Sequence, residues 1–478
     1  MKLNILNTMY SELLNTTITI NGWVMTCRTQ KDITFIKIND GSNAKGIQLI
    51  ANSSCNELDK VTTGCSITAT GLLVKSPAPE QPYEMQVHDL IILGCSSPDD
   101  YPLAKGKLPM DYLRKYAHLR ARTSSFGSIF RIKSAISHAT HEFFKDQGYH
   151  HINPNIITIN ECEGGAGVFQ ITEHDISNHN NLPRIKDVSG NITSNVTSNH
   201  DWKQDHFDRP AFLTVSSQLQ LEAMACSLGS VYTTNKSFRS EHSTTNKHLS
   251  EFEHLEIETT FITLEELMQT GEDYIKYVGR YLLENALEDI DNLGKFVSKG
   301  LKERITNIIE TKFIRLKYSD AIDILKKASG LSKPVDYGED LSSEYENYLT
   351  TFFNSPVFVY NWPLAIKSFY MKPSSIPSSK PSSKDDTCEN FDLLMPYKVG
   401  ELIGGSMRND NYESMLEIMK TKGVTPDPLQ FYLDLRKFGS VPHGGFGLGL
   451  DRMCMMFTGM DNIKDVVAFP VHFKNCNY

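Results

Sequence analysis

No apolar run of 18 residues occurs anywhere in the 478-residue sequence, so no membrane-spanning helix is expected. Cys-x-x-Cys pairs are absent too. The nine cysteines are scattered and odd in number, which argues against a disulfide framework or a thiolate zinc site. A reducing, cytoplasmic setting is expected, and triplets such as Asn191-Ile-Thr are then chance matches rather than glycosylation sites. The opening "MKLNILNTMYSELL" is too polar, and its apolar stretch too short, for a secretory signal. Positive charge is also scarce. Lys and Arg number 48 against 57 Asp and Glu, and the net charge of −9 speaks against non-specific coating of nucleic acid while leaving room for a local basic patch. What remains is an ordinary globular composition, 40% apolar and 22% charged, in a chain too long for one core.

The first hundred residues carry five β-rich runs: "TTITINGWVMTCR", "DITFIKINDGS", "GIQLIA", "CSITATGLLVKS" and "YEMQVHDLIIL". In the first, Ile18, Ile20, Trp23 and Met25 alternate with polar residues. Turn signals between the runs, including Asp40-Gly41, predict a small Greek-key barrel over 1–100. Residues 101–122 are mixed and basic and read as a hinge. Over 127–147, Ile129, Ile132, Ile136, Ala139 and Phe143 recur three or four apart, which predicts an amphipathic helix ending at Gly148 before Pro154. From there to 478, strands and helices alternate irregularly, as in an α+β domain on an antiparallel sheet. Residues 174–210, rich in Asn, Ser and His, and 373–387, "PSSIPSSKPSSKDDT", read as flexible insertions.

Three stretches concentrate chemistry. In "SVYTTNKSFRSEHSTTNKHLSEFEHLEIETTF" (230–261), two strand-like runs flank a polar loop with Lys247 and His248. Period-two alternation puts Phe252, His254, Glu256 and Glu258 on one face and Leu255 and Ile257 on the other, while Arg239 and Glu241 share a face. An arginine, acids and a ring on one surface suit a nucleotide and a cationic group. They equally describe a solvated face carrying one aromatic. In "KVGELIGGSMRNDNYE" (398–413), Glu401, Ser406 and Arg408 flank a double glycine, with Asp392 upstream. Oxygen side chains there fit Mg²⁺ carrying phosphates, and Arg408 offers a planar fork to a carbonyl or carboxylate. Third, "GGFGLGLDRMCMMF" (444–457) is glycine-rich but fits neither the dinucleotide fingerprint nor the phosphate loop of NTPases.

Taken in order, these segments resemble the three motifs of the class II aminoacyl-tRNA synthetases. The 127–147 helix with Pro154 is similar to motif 1, "FRSEHSTTNKHLSEF" to motif 2 and "GLGLDR" to motif 3. The barrel resembles the OB-fold anticodon-binding domain of the aspartyl, asparaginyl and lysyl subgroup, and the resemblance spans nearly the whole chain outside the insertions. It implies ATP as substrate, with Arg239 on the α-phosphate and Phe252 and Arg452 on opposite faces of the adenine. It puts Glu241 at the adenine amino group and His248 at the outer phosphates, and lets motif 3 glycines, Gly449 among them, approach the adenosine closely. Glu401 and Ser406 would bind Mg²⁺. Asp392, one residue further from that glutamate than the family's spacing, would assist. No side-chain nucleophile is required; Arg239 and Arg452 carry the catalysis by positioning and charge neutralisation. A homodimer through residues 127–154 is also implied.

Within that family several stretches look asparaginyl rather than aspartyl. "LTVSSQLQLEAMACSLGSVYT", "IKSFYM", "GELIGGSMR" and "YLDLRKFGSVPHGGFGLGLDR" are among them. Leu221 stands where aspartyl enzymes carry a substrate-pairing lysine. Gln218, Glu256 and Arg408 would form the amino-acid site, Glu256 accepting from a carboxamide NH₂ and Arg408 donating to its oxygen. Two such contacts, at about 1.5–3 kcal/mol each, discriminate roughly 10²- to 10⁴-fold against the carboxylate. Val471 replaces the arginine that usually follows "FP", and "ECEGGAGVF" (161–169) differs from the commoner form of its loop. In the barrel, Arg28, Phe35 and Gln48 match anticodon-holding positions, with Phe35 stacking on a base and Gln48 reading its edge. The expected activity is attachment of asparagine to tRNA(Asn). The competing readings are an aspartyl enzyme that charges both tRNAs, a paralogue that makes free asparagine, and an inactive binding module.

Overall fold

The computed structural model describes residues 4–6, 11–53, 55–78, 81–103, 108–160, 167–178, 182–185, 189, 200–374 and 386–478. Parts of both stretches read as insertions, and most of "ECEGGAGVF", lie outside the described residues. The chain divides into two compact units. One comprises Met1–His138, Gly279–Thr306 and Phe457–Phe469; the other comprises Ala139–Val278, Asn307–Met456 and Pro470–Tyr478.

In the first unit, β1 (Thr17–Gln30), β2 (Ile33–Asn39), β3 (Ile47–Asn52), β4 (Ser66–Lys75) and β5 (Tyr83–Gly94) close into a barrel in the order β1-β2-β3-β5-β4. Its core holds Ile18, Ile20, Val24, Ile36, Ile38, Leu49 and Ile67, all buried. Trp23 and Met25 are not part of it. Strict alternation carries Gly22 and Val24 inward, so Trp23, 39% exposed, faces outward, contrary to the grouping expected from apolarity alone. Two short helices follow, α1 (Met110–Arg114) and α2 (Ala117–Arg120). This basic segment is anchored: Arg114 Nη2 pairs with Asp465 at 2.7 Å, and the fully buried Arg120 donates to the carbonyls of Lys464, Val467 and Ala468.

The helix expected over 127–147 is α3 (Ser124–Asp146), with Ile129, Ile132, Ile136, Ala139 and Phe143 all buried. Its chain reverses at Gly148, whose φ of 79° suits a glycine, and the Tyr149 amide caps Phe144 O at 2.9 Å.

The second unit is built on an eight-stranded sheet. It uses β6 (His150–His151), β10 (Ser230–Phe238), β11 (Glu251–Thr260), β12 (Ile314–Lys317), β13 (Val357–Tyr360), β14 (Asn390–Met395), β15 (Gly400–Met407) and β16 (His443–Gly449). Their order is β12-β13-β14-β15-β16-β11-β10-β6, antiparallel except for the parallel edge pairs β12–β13 and β10–β6. A small second sheet, β7 (Ile157–Thr158), β8 (Gln170–Ile171) and β9 (Ala211–Leu213), has β9 at its centre and leads into α4 (Gln218–Leu228). The remaining helices include α5 (Leu264–Asn285), α6 (Leu287–Phe296) and, directly after β16, α7 (Leu450–Thr458).

Candidate active site

The register of the central strands builds a trough. Asp392 of β14 pairs with Gly404 of β15, Gly404 with Gly447 of β16, and Gly447 with Glu256 of β11. The row beside it runs Asn390, Ser406, Gly445, Glu258. Paired residues share a face, so Gly404, Gly447 and Gly445 lie in the middle of the rows, with the acids Asp392, Glu256 and Glu258 at their ends. A Cβ on Gly445 would lie 2.0 Å from Ile257 O and 2.4 Å from the Glu258 carboxyl; one on Gly447 would lie 2.6 Å from His254 Nε2. These glycines thus make room for neighbouring side chains to lean across the floor. Gly449, where a Cβ would meet only Arg452 Cβ at 3.7 Å, remains open. The resulting cleft encloses about 370 Å³.

Glu401 reaches this face through an irregularity. Leu394 pairs with Glu401 but Leu393 with Ile403, so a bulge shifts parity and turns Glu401 toward Gly404 and Ser406. A Cβ at Gly404 would meet Glu401 Oε1 at 3.3 Å and Asp392 Oδ1 at 3.6 Å, so the two carboxylates approach the same point. Withdrawal from water within the cleft, then the Asp392 charge, push the Glu401 carboxyl up to about 7, although more than a third of the residue's surface is solvent-accessible. Asp392 is raised as well, by burial, against the pull of Lys367, whose Nζ lies 2.8 Å from Oδ2 and 3.9 Å over the Trp362 ring.

At one end of the cleft, the Arg239 guanidinium lies 5.4 Å over the Phe252 ring. Glu241 Oε2 is 3.8 Å from His248 Nε2. Withdrawal from water, then the charges of Arg452, Arg239 and Lys247, lower the His248 pKa against the opposing pull of Glu241, so these cations gather around a neutral imidazole. Arg452, in the first turn of α7, donates to Glu401 O at 2.5 Å. Asp451 beside it accepts from the Glu253 amide at 3.0 Å, a carboxylate at a helix N-terminus that ties α7 to β11.

At the other end, Arg408 is buried. Its Nε and Nη2 bind the Glu258 carboxylate and its Nη1 donates to Ser406 Oγ at 2.6 Å. Burial, then the nearby Glu222 carboxylate, push the Glu258 carboxyl up to about 7 against the lowering effect of Arg408. Glu256 accepts from the Ser217 amide at 2.9 Å and from Ser216 Oγ. Gln218 Nε2 donates to Glu222 at 3.0 Å. Leu221 packs with Ala225 and Val231 in an apolar cluster, so that position brings no charge to the site.

The description "tRNA synthetases class II (D, K and N)" matches residues 109–472, and "OB-fold nucleic acid binding domain" matches 18–93. The chain belongs to the class II tRNA synthetases of the D, K and N group. This synthetase is 40% identical over 472 residues to the asparagine–tRNA ligase of Borreliella burgdorferi, covering 97% of each chain. It is 40% identical over 466 residues to that of Protochlamydia amoebophila, covering 96% of this chain and 95% of the other. Among solved structures it is similar to the asparaginyl-tRNA synthetase of Pyrococcus horikoshii complexed with asparaginyl-adenylate, with a TM-score of 0.83, 29% identity and coverage of 100% and 99%.

The synthetase's barrel carries the remaining candidate residues. Cross-strand pairing sets Arg28 opposite Phe35 and Lys37 opposite Gln48. Thr34, Ile36 and Ile38 point inward, so Phe35 lies half-buried on the outer face, with Arg28 5.8 Å from its ring centre. It is not a core residue. Phe35 and Gln48 line a cavity of about 1380 Å³ together with Trp23, Lys45, Arg122 and Lys295. Aromatic rings beside cations suit unstacked bases and their phosphates. Phe35→Ala is expected to raise the KM for tRNA about tenfold or more, a stacked base contributing roughly 1–3 kcal/mol, while amino-acid activation without tRNA stays near wild type. Collapse of activation as well would make Phe35 a folding residue.

Several residues of the site escaped the sequence. Glu222 is fully buried and accepts from Arg436 Nη2 at 2.8 Å, Tyr432 Oη at 2.8 Å and His443 Nε2 at 3.1 Å, with Arg408 3.8 Å away. Glu222 comes from α4, His443 from β16, and Arg436 and Tyr432 from the helix Gln430–Lys437. Lys367 and the Ser216–Ser217 pair complete the list.

Proposed function

We infer that this synthetase attaches asparagine to tRNA(Asn) in two steps. The asparagine carboxylate attacks the α-phosphorus of ATP in line, forming asparaginyl-adenylate and releasing pyrophosphate; a ribose hydroxyl of the terminal tRNA nucleotide then takes the acyl group and AMP leaves. Arg239 donates to the α-phosphate, Phe252 and Arg452 enclose the adenine, Glu241 accepts from its amino group, and neutral His248 meets the outer phosphates. The open face at Gly449 admits the adenosine. Gln218, Glu256 and Arg408 hold the amino acid.

One observation carries the choice of amino acid. Among the described residues lining that end of the cleft, the cations Arg408 and Lys367 are already committed to Glu258 and Asp392. Leu221 adds none. An incoming aspartate would bring a second carboxylate to a site whose positive charge is matched, whereas a carboxamide brings none.

Mg²⁺ fits the oxygen donors of Glu401 and Asp392, two carboxylates that approach one point beside Gly404 and whose pKa values burial raises despite the Lys367 ammonium next to Asp392. Ser406 Oγ keeps a lone pair beyond its bond from Arg408. The ion would neutralise phosphate charge in ATP. The same reading takes residues 1–100 as the anticodon-binding domain, 101–122 as the hinge, 123–478 as the catalytic domain and the cytoplasm as the location. It also takes 127–154 as a homodimer surface, next to which Ile156, Ile157 and Ile159 are exposed.

ATP–pyrophosphate exchange without tRNA, with asparagine and aspartate in parallel, tests the reading. Exchange with asparagine alone, abolished by EDTA, is the expected result. Exchange with aspartate instead would overturn the pocket argument, and silence with both from folded protein would overturn the enzymatic one.

A further inference from the structure

Outside the cleft, one group of side chains has no part in the chemistry above. His174, His200 and Asp205 offer ligand atoms that all lie within 4.8 Å of one another. His174 lies three residues past β8, His200 precedes the turn Trp202–Gln204, and Asp205 follows it. The His174 and His200 rings meet edge-on with centres 5.7 Å apart, and His200 Nε2 is 3.2 Å from Asp205 Oδ2.

We propose that His174, His200 and Asp205 form a binding site for Zn²⁺, a clip that ties together the two ends of the stretch 175–199. Two imidazoles and one carboxylate are the ligand types a borderline-soft ion selects, with a fourth position left for water. Zinc bonds of about 2.0–2.1 Å at tetrahedral angles separate ligand atoms by about 3.3 Å. The His200–Asp205 pair is at that separation already, with the ion taking the place of the proton between them. His174, half-buried and with Nε2 3.1 Å from Gln204 O, closes the remaining gap by side-chain rotation.

The carboxylate is prepared for the role. Its side chain is 4% exposed, and its other contacts hold it in place: Thr172 Oγ1 donates to Oδ2 at 2.6 Å, and the Glu173 and His206 amides donate to Oδ1 at 3.2 and 2.8 Å. Burial works to raise its pKa, but these bonds and that from His200 outweigh it and hold the group well below the usual carboxylate range. His200 is also fixed, its ring 4.2 Å from that of Trp202 and its backbone bridged to Arg184.

A clip at this position acts on more than the loop it closes. β8 and β9 pair through Gln170–Phe212 and Ile171–Ala211, and β9 runs into the Ser216–Ser217 pair that holds Glu256. Closing a long loop removes freedom from the unfolded chain, and an ion bound to the folded state alone stabilises it by mass action.

The test uses the full-length chain, stripped with chelator and dialysed into millimolar Mg²⁺ so that oxygen-only sites are saturated. Calorimetric titration with ZnCl₂ is expected to show one equivalent bound, and the melting temperature to rise with it. His174→Ala, a half-exposed position whose loss does not threaten the fold, and His200→Ala are each expected to weaken binding about tenfold or more and abolish the rise. No zinc uptake by the wild type, or uptake that both variants retain, would overturn the proposal. Pyrophosphate exchange plays no part in this readout, so the result stands apart from the proposed activity.

Discussion

Arg239→Ala is expected to lower asparagine-dependent pyrophosphate exchange about 10³-fold in kcat. Negative charge accumulates on the α-phosphate oxygens as the carboxylate attacks, and a guanidinium fixed beside them is worth more in the transition state than in the ground state. Comparable arginines in phosphoryl transfer contribute about 10³- to 10⁵-fold. Arg239 lies just past the end of β10, with its guanidinium over Phe252. Arg239→Lys should recover only part of the loss, because an ammonium lacks the planar fork. A fall of less than about tenfold in the alanine variant, with thermal unfolding unchanged, would remove Arg239 from the reacting phosphate.

Arg408→Ala is expected to act twice. Asparagine use should fall about 10²-fold through KM while the KM for ATP moves little, since Arg408 lies at the far end of the cleft from Arg239 and Phe252. Equal loss for both substrates would mean that Arg408 serves neither pocket specifically. The fold should also weaken by about 3–5 kcal/mol, because the variant leaves Glu258 and Glu222 buried without the cation between them. The pH dependence follows from Glu258. Its folded pKa stands near 7 against an ordinary 4.5, so the folded state holds the proton more tightly, and stability declines as pH rises from 4.5 to 7. Removing Arg408 moves the upper limit of that window higher. The stability gap between variant and wild type should therefore be smaller at pH 6 than at pH 8, as measured by denaturant unfolding.

The five barrel strands were readable because each alternates over a core of Ile, Leu and Val. The exception, Trp23, shows the limit of the method: apolar identity suggested an inward residue, while strand parity carries it outward into a basic cavity. Motifs 2 and 3 were likewise readable as a set, and the structure gathers Arg239, Glu241, His248, Phe252 and Arg452 around one end of the cleft. The orientation of Glu401 was not readable from spacing, since it depends on a bulge that changes parity within β15. Nor was the engagement of Arg408 with Glu258. Linear sequence shows two charged residues 150 positions apart, and only the register through Gly445 and Ser406 brings the end of β15 to Glu258 across the intervening β16. The Glu222 network was harder still. It joins residues from two helices and a strand, and buried ion pairs leave no periodic trace.

The glycine rows also limit how such a site can change over time. Where two adjacent strands contribute bare backbone to the floor, little is left there to trim and any addition collides with a wall. New preferences must then arise from the walls, at positions like Leu221, Glu256 and Arg408, while the floor is inherited unaltered. A scaffold of this kind would be expected to diversify in what it accepts far more readily than in how it handles the nucleotide.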